Sequence, residues 1–273
     1  MKITFIGGGN MARSLIGGLI EAGTPPGDIS VSDPIAEVQQ QLNADFGVVT
    51  SSDNTIALGN ADVVVLAIKP QQMRSVVSDL NGKFKGKLVI SVAAGVLISD
   101  IVRWSGSADT AAVRCMPNTP ALLGCGATGL YANEAVQPIQ KQQAEVILAA
   151  AGISAWLDTE AQLDAITALS GSGPAYFFQL IESMINSAEK MGIPESIATQ
   201  FAIQTALGAA RMASEGDTSP AQLRRNVTSP AGTTEAAINS FTSNNFSAIV
   251  DRAMKAAESR AQALGKELGA DHG

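Results

Sequence analysis

The chain has one histidine in 273 residues, His272, next to last. Chain ends are seldom held rigidly, so a mechanism built on a buried imidazole has no residue to supply it. This excludes a Ser-His-Asp hydrolase in spite of Ser-rich turns, and disfavours hydroxy-acid dehydrogenases that carry their proton on histidine. Cysteine is almost as scarce: Cys115 and Cys125 are the two present, in neither metal-ligand nor disulfide spacing, so reduced thiols and no metal are expected. Basic residues are outnumbered, 18 Lys and Arg against 25 Asp and Glu, with no basic patch, which argues against nucleic acid as a partner. No uncharged apolar run approaches the roughly 20 residues that cross a bilayer. The opening MKITFIGGGN reads as a strand entering a turn rather than a leader, so a cytoplasmic protein without a membrane partner is expected.

What is present is 46% hydrophobic residues, enough for one large or two medium cores. In the first half, short β-branched runs alternate with helical patterns. Strands are predicted at Ile3–Ile6, Ile29–Ser32, Val48–Thr50, Val63–Ile68, Leu88–Val92 and Ala111–Cys115, with further ones near Ala127–Tyr131 and Ile153–Trp156. That alternation predicts a doubly wound parallel sheet of Rossmann type, covered on both faces. After about Thr159 strand patterns cease and Ala-rich helices follow, too apolar for solvated helices and suited to packing on a second subunit. The fold expected is therefore α/β, with a dinucleotide-binding domain over 1–158 and an all-α substrate-binding and dimerisation domain over 159–273.

Three motifs carry chemistry. Ile6-Gly7-Gly8-Gly9-Asn10-Met11-Ala12 fits the glycine fingerprint of dinucleotide loops: one glycine for the tight turn, one for close approach to a pyrophosphate, and a small residue for helix packing. Ser32 and Asp33 close the second strand, where an acid recognises the ribose of NADH. Asp33 as a helix cap is the other reading, so NADPH and NADH both stay open. Ala67-Ile68-Lys69-Pro70 and Ala93-Ala94 lie at carboxyl ends of strands, where open sheets bind ligands. In Asp164–Phe178, a helix is predicted to stop at Ser170-Gly171-Ser172-Gly173 and another to start at Pro174, leaving free N–H groups for an anion. Asn226–Thr234, NVTSPAGTT, predicts a second such corner. Both are equally readable as plain caps and turns. An iminium needs only orientation and a mild hydrogen-bond partner to accept hydride, which suits hydroxyls, amides and backbone N–H groups.

Taken together, FIGGGNMA, AIKP, SVAAG, RCMPNTP, LSGSGPAY and NVTSPAGTT resemble the pyrroline-5-carboxylate reductase family over nearly the whole length. The resemblance implies reduction of 1-pyrroline-5-carboxylate to L-proline, the last step of proline biosynthesis, with NADPH or NADH. It implies that Ile6 to Ala12, Ser32, Asn54 and Ala67 to Pro70 hold the cofactor, with Ala93 and Ala94 near the nicotinamide. Thr234 is implied as hydrogen-bond partner or proton donor to the ring nitrogen, and Glu160 as an acid beside it. Asn226, Thr233 and Thr234 are implied to receive the substrate, with Ser172 and Gly173 nearby. Ala231 stands where the family often has glycine, and Thr233 where it often has alanine or glycine. A homodimer, further assembled into decamers in some members, is implied as well. Two alternatives are a reductase of another cyclic imine or keto acid, and a non-catalytic dinucleotide-binding dimer.

Overall fold

The computed structural model describes residues 1–270; His272 lies outside the described residues. Eight strands form one sheet: β1 (Ile3–Ile6), β2 (Ile29–Ser32), β3 (Val49–Ser51), β4 (Val63–Leu66), β5 (Leu88–Ser91), β6 (Ala111–Met116), β7 (Gly126–Ala132) and β8 (Gly152–Trp156). Helices α1 (Asn10–Glu21), α2 (Ala36–Phe46), α3 (Asn54–Leu58), α4 (Pro70–Asp79), α5 (Ile98–Ser105) and α6 (Pro138–Ala149) alternate with them. Then come α7 (Gln162–Ile166), a π-helical turn over Thr167–Gly171, α8 (Gly173–Lys190), α9 (Glu195–Ser214), α10 (Pro220–Asn226), α11 (Thr233–Ser243) and α12 (Phe246–Gly269).

The strand order β3-β2-β1-β4-β5-β6-β7-β8 is the doubly wound one, reversing between β1 and β4. Successive side chains feed two cores. Ile3, Phe5, Val63, Val65, Leu88 and Ile90 join one, while Ile6, Val64, Leu66 and Val89 join the other. Burial on both faces explains why these strands read as unbroken apolar runs. The sheet departs from the expected parallel arrangement at one place, where β7 runs antiparallel to β6. Only residues 117–125 join the two, too short for a parallel crossover.

The chain divides into two compact units: Met1–Ser172 together with the chain from Ala256, and Gly173–Lys255. The division thus falls beyond the expected boundary at 158/159. Residues 159–172 stay with the sheet because buried Arg114 of β6 binds Glu160 and Asp164. Gly129 of β7 also admits Ile166, whose Cγ2 would lie 3.1 Å from a β-carbon there. In the second unit α8 lies along α9. Large apolar side chains point outward there, with Phe177 and Phe201 each 66% exposed. Among the described residues, no helix is long and apolar enough to cross a membrane.

Candidate functional site

The glycine loop sits at the point where the strand order reverses. Gly7 turns at φ +98, its N–H donates to the Ser32 carbonyl at 2.7 Å, and a β-carbon there would stand 2.4 Å from the Ala67 carbonyl oxygen. Glycine is required on both counts. A β-carbon at Gly8 would meet Leu42 and Val38 at 2.7 and 2.8 Å, so the loop also lies tight on α2. Gly9 is different: nothing lies within 4 Å of its β-carbon position. It is the N-cap of α1, with no side-chain cap and no acid in the first turn. The start of α1 is therefore uncapped by any side chain, with open space beside Gly9, which fits a dinucleotide pyrophosphate. Ala12 is fully buried in the core, as the third small position demands.

Around this loop the predicted cofactor residues fall into distinct environments. Ser32 is 1% exposed and its hydroxyl donates to Asn54 Oδ1 at 2.7 Å, so its one proton is already used and Asn54 keeps its amide donor. Asp33 turns back on the loop: Oδ2 accepts from Gly8 N at 2.8 Å and Oδ1 from Ile35 N at 2.9 Å. Ala67 and Ile68 are half-buried after β4, Lys69 is exposed at the N-cap of α4, and Pro70 opens that helix. Ala93 is buried and Ala94 half-buried after β5. Under them Cys115 donates its thiol to the Ser91 carbonyl at 3.2 Å. Burial pushes this thiol well above the usual cysteine range, while the nearby Arg114 charge opposes the shift only in part.

At 170–173 one helical run does stop and another starts, a residue earlier than expected: the π-helical turn ends at Gly171, Ser172 is a bend, and α8 opens at Gly173. The first run ends in a π-helical turn capped by Ser172, whose N–H donates to the Thr167 carbonyl at 2.8 Å and whose backbone stays right-handed. Two neighbours make the wide turn possible. A β-carbon at Gly171 would stand 2.7 Å from Met116 Cε, so the methionine fills the place of a side chain. Pro174 has no N–H to offer the Ser170 carbonyl, and Asn118 Nδ2 donates to it instead at 3.1 Å. Asn118 Oδ1 in turn accepts from Ala127 N at 2.9 Å, fixing the turn that follows β6.

Arg114 was not singled out by the sequence reading, although a charge inside the apolar run AAVRCM is a visible signal. Its side chain is 4% exposed; Nη1 meets Glu160 Oε1 and Nη2 meets Asp164 Oδ1, each at 3.2 Å. Glu160 Oε1 also accepts from Ile98 N at 2.8 Å. One carboxylate oxygen thereby ties β6, the segment leading into α7 and the start of α5 together. The acid expected beside the substrate ring has structural partners of its own.

In the second unit, the Asn226–Thr234 segment does form a helix start. α10 ends at Asn226, whose Oδ1 accepts from Gln222 Nε2 at 2.7 Å. Gly232 is the N-cap of α11 and offers no side chain, so the amides of Thr233 and Thr234 open the helix uncapped by it. Thr233 is exposed and Thr234 half-buried. Glu235 Oε2 accepts from Ala231 N at 2.8 Å and holds the loop, with Ala231 at φ +55 in the left-handed region.

Residues 160–264 match the family model described as pyrroline-5-carboxylate reductase dimerisation, and residues 2–95 match one described as NADP oxidoreductase, coenzyme F420-dependent. A pyrroline-5-carboxylate reductase of Pseudomonas aeruginosa is 50% identical over 269 residues, covering 98% of each chain. The solved pyrroline-5-carboxylate reductase of Coxiella burnetii is 45% identical, with a TM-score of 0.94 over 97% of this chain and 98% of that one. The Plasmodium falciparum pyrroline carboxylate reductase, solved with NADP bound, is 28% identical, with a TM-score of 0.84 over 97% and 98%.

Proposed function

The chain belongs to the pyrroline-5-carboxylate reductase family, and on that footing we propose that it reduces 1-pyrroline-5-carboxylate to L-proline with NADPH. The single observation that carries this reading is the start of α11, uncapped by any side chain, with Thr234 half-buried in its first turn. The amides of Thr233 and Thr234 receive the substrate carboxylate, aided by the helix dipole. Asn226 supplies an amide donor beside it, and the Thr234 hydroxyl hydrogen-bonds the ring nitrogen. Positioning of this kind is worth several kcal/mol, because the imine carbon must be held at near-attack distance.

Gly7, Gly8 and Gly9 with the first amides of α1 hold the pyrophosphate; Asn54, Ala67, Ile68, Lys69 and Pro70 line the remaining cofactor contacts, and Ala93 and Ala94 the nicotinamide. NADPH supplies the hydride when bound. Both Asp33 oxygens are held by backbone amides, and NADPH as the preferred coenzyme is supported by the match to the NADP oxidoreductase model and by the relative solved with NADP bound. Glu160 is assigned a positioning role through Ile98 and Arg114 rather than direct contact with the ring. The working boundary between cofactor and substrate functions stays at 158/159, next to the start of the dimerisation model at residue 160. The assembly is a homodimer, with decamers as the higher form, in the cytoplasm.

The test follows absorbance of NADPH and of NADH on adding pyrroline-5-carboxylate to purified protein. Oxidation with formation of proline, faster with NADPH, is expected. Binding of coenzyme without oxidation would overturn the reading in favour of another imine substrate.

A further inference from the structure

The loop from Ala93 to Leu97 is gripped from two directions by parts of the chain distant in sequence. On one side lies the last part of α12. A β-carbon at Gly265 would stand 3.1 Å from the Gly95 carbonyl oxygen. Gly95, at φ +79, has the Gly265 amide nitrogen and Leu264 Cβ 3.4 Å from its own β-carbon position, and Leu268 Cδ1 at 3.2 Å. Two glycines facing each other let helix backbone touch loop backbone. Leu268 packs into the same core as Ala93 and Val96, and Arg103 Nη2 of α5 donates to the Gly269 carbonyl at 2.9 Å. On the other side, Glu160 Oε1 accepts from Ile98 N, the first amide after the loop, and is itself held by buried Arg114.

We propose that this two-sided grip presets the Ala93–Leu97 loop as the platform for the nicotinamide, which makes Gly265 and Glu160 positioning residues for hydride transfer. The proposal rests on the assignment of Ala93 and Ala94 to the nicotinamide made above. A bare loop after a strand has few bonds of its own, and here the surrounding structure supplies its order before coenzyme arrives. The pyrophosphate loop is a separate set of contacts. Loosening the platform should therefore misplace the reacting ring while leaving most coenzyme affinity intact.

The test uses full-length protein with Gly265→Ala, Gly265→Leu, Glu160→Ala and Glu160→Gln, and Arg260→Ala on the exposed face of α12 as control. Amide hydrogen exchange is read over residues 93–98, with and without NADPH. In Gly265→Ala and Glu160→Ala, these amides should exchange about 10-fold faster than in wild type while the β4 amides stay unchanged. Turnover should fall about 10-fold or more with the NADPH dissociation constant altered less than about 3-fold, since a small misplacement of reacting groups costs rate rather than affinity. The primary isotope effect with deuterated NADPH should rise as hydride transfer becomes limiting. Glu160→Gln keeps an acceptor for Ile98 and should recover most of the loop protection; Gly265→Leu should exceed Gly265→Ala. Lowered thermal stability with unchanged loop exchange and isotope effect would overturn the proposal, leaving a merely structural contact. Failure of NADPH to protect residues 93–98 in wild type would instead remove the nicotinamide assignment, and the proposal with it.

Discussion

Thr234 is the residue on which the proposed chemistry turns, and its setting is simple: half-buried, in the first turn of a helix whose N-cap is glycine. Thr234→Ala should lower kcat roughly 100-fold, the usual cost of losing one preorganised donor, while the NADPH dissociation constant stays put. Steady-state kinetics beside fluorescence titration of NADPH would check this, and equal turnover would remove Thr234 from the reaction. Ala231 offers a second single-residue test. It holds φ +55, and a left-handed alanine costs about 1 kcal/mol. Ala231→Gly should raise stability by up to about 1 kcal/mol, seen as a higher urea midpoint, because relief of that strain outweighs the freedom glycine regains on unfolding.

At the scale of elements, β6 does more than extend the sheet. It carries Arg114 under two carboxylates of the segment that follows β8, and so fastens α7 and the start of α5 to one strand. Arg114→Met should destabilise the protein by about 3 kcal/mol, because two acids lose the charge that compensates them in a largely buried place. Denaturant unfolding would measure it. A loss below about 1 kcal/mol, the range of exposed ion pairs, would show that water already screens the group. The π-helical turn belongs to this scale too. Small residues at 170–173 read as a break, since capping serines and glycines usually end helices. The chain does bend at Ser172; the tertiary contacts around it left no mark in the sequence: Met116 fills the space at Gly171, and Asn118 takes the carbonyl that Pro174 leaves without a donor.

For the whole molecule, the helical half matches a dimerisation domain, and its outward Phe177, Phe178 and Phe201 are more apolar than a solvated surface tolerates. Phe201→Asp should therefore shift the protein from oligomer towards monomer in light scattering and cost most of the activity. Retention of the wild-type mass would place the interface elsewhere on these helices.

The alternation of β-branched runs with helical patterns was enough, by itself, to specify the sheet, because burial on both faces forces continuous apolar strands. Ile3–Ile6 and Ile29–Ser32 were legible to the residue for that reason. The glycine loop was legible as well, since a tight turn beside another strand's carbonyl leaves few other choices of residue. Helices α3 and α5 were not read, being short and partly polar; Thr4 secures α3 by donating to the Ala57 carbonyl at 2.8 Å, a bond across 53 positions. The partners of Asp33, Glu160 and Gly95, and the antiparallel turn of β7, were likewise decided only in three dimensions. Periodicity records which face of an element is buried. It holds no record of which distant backbone group a given side chain will meet, and at this site those meetings set the loops.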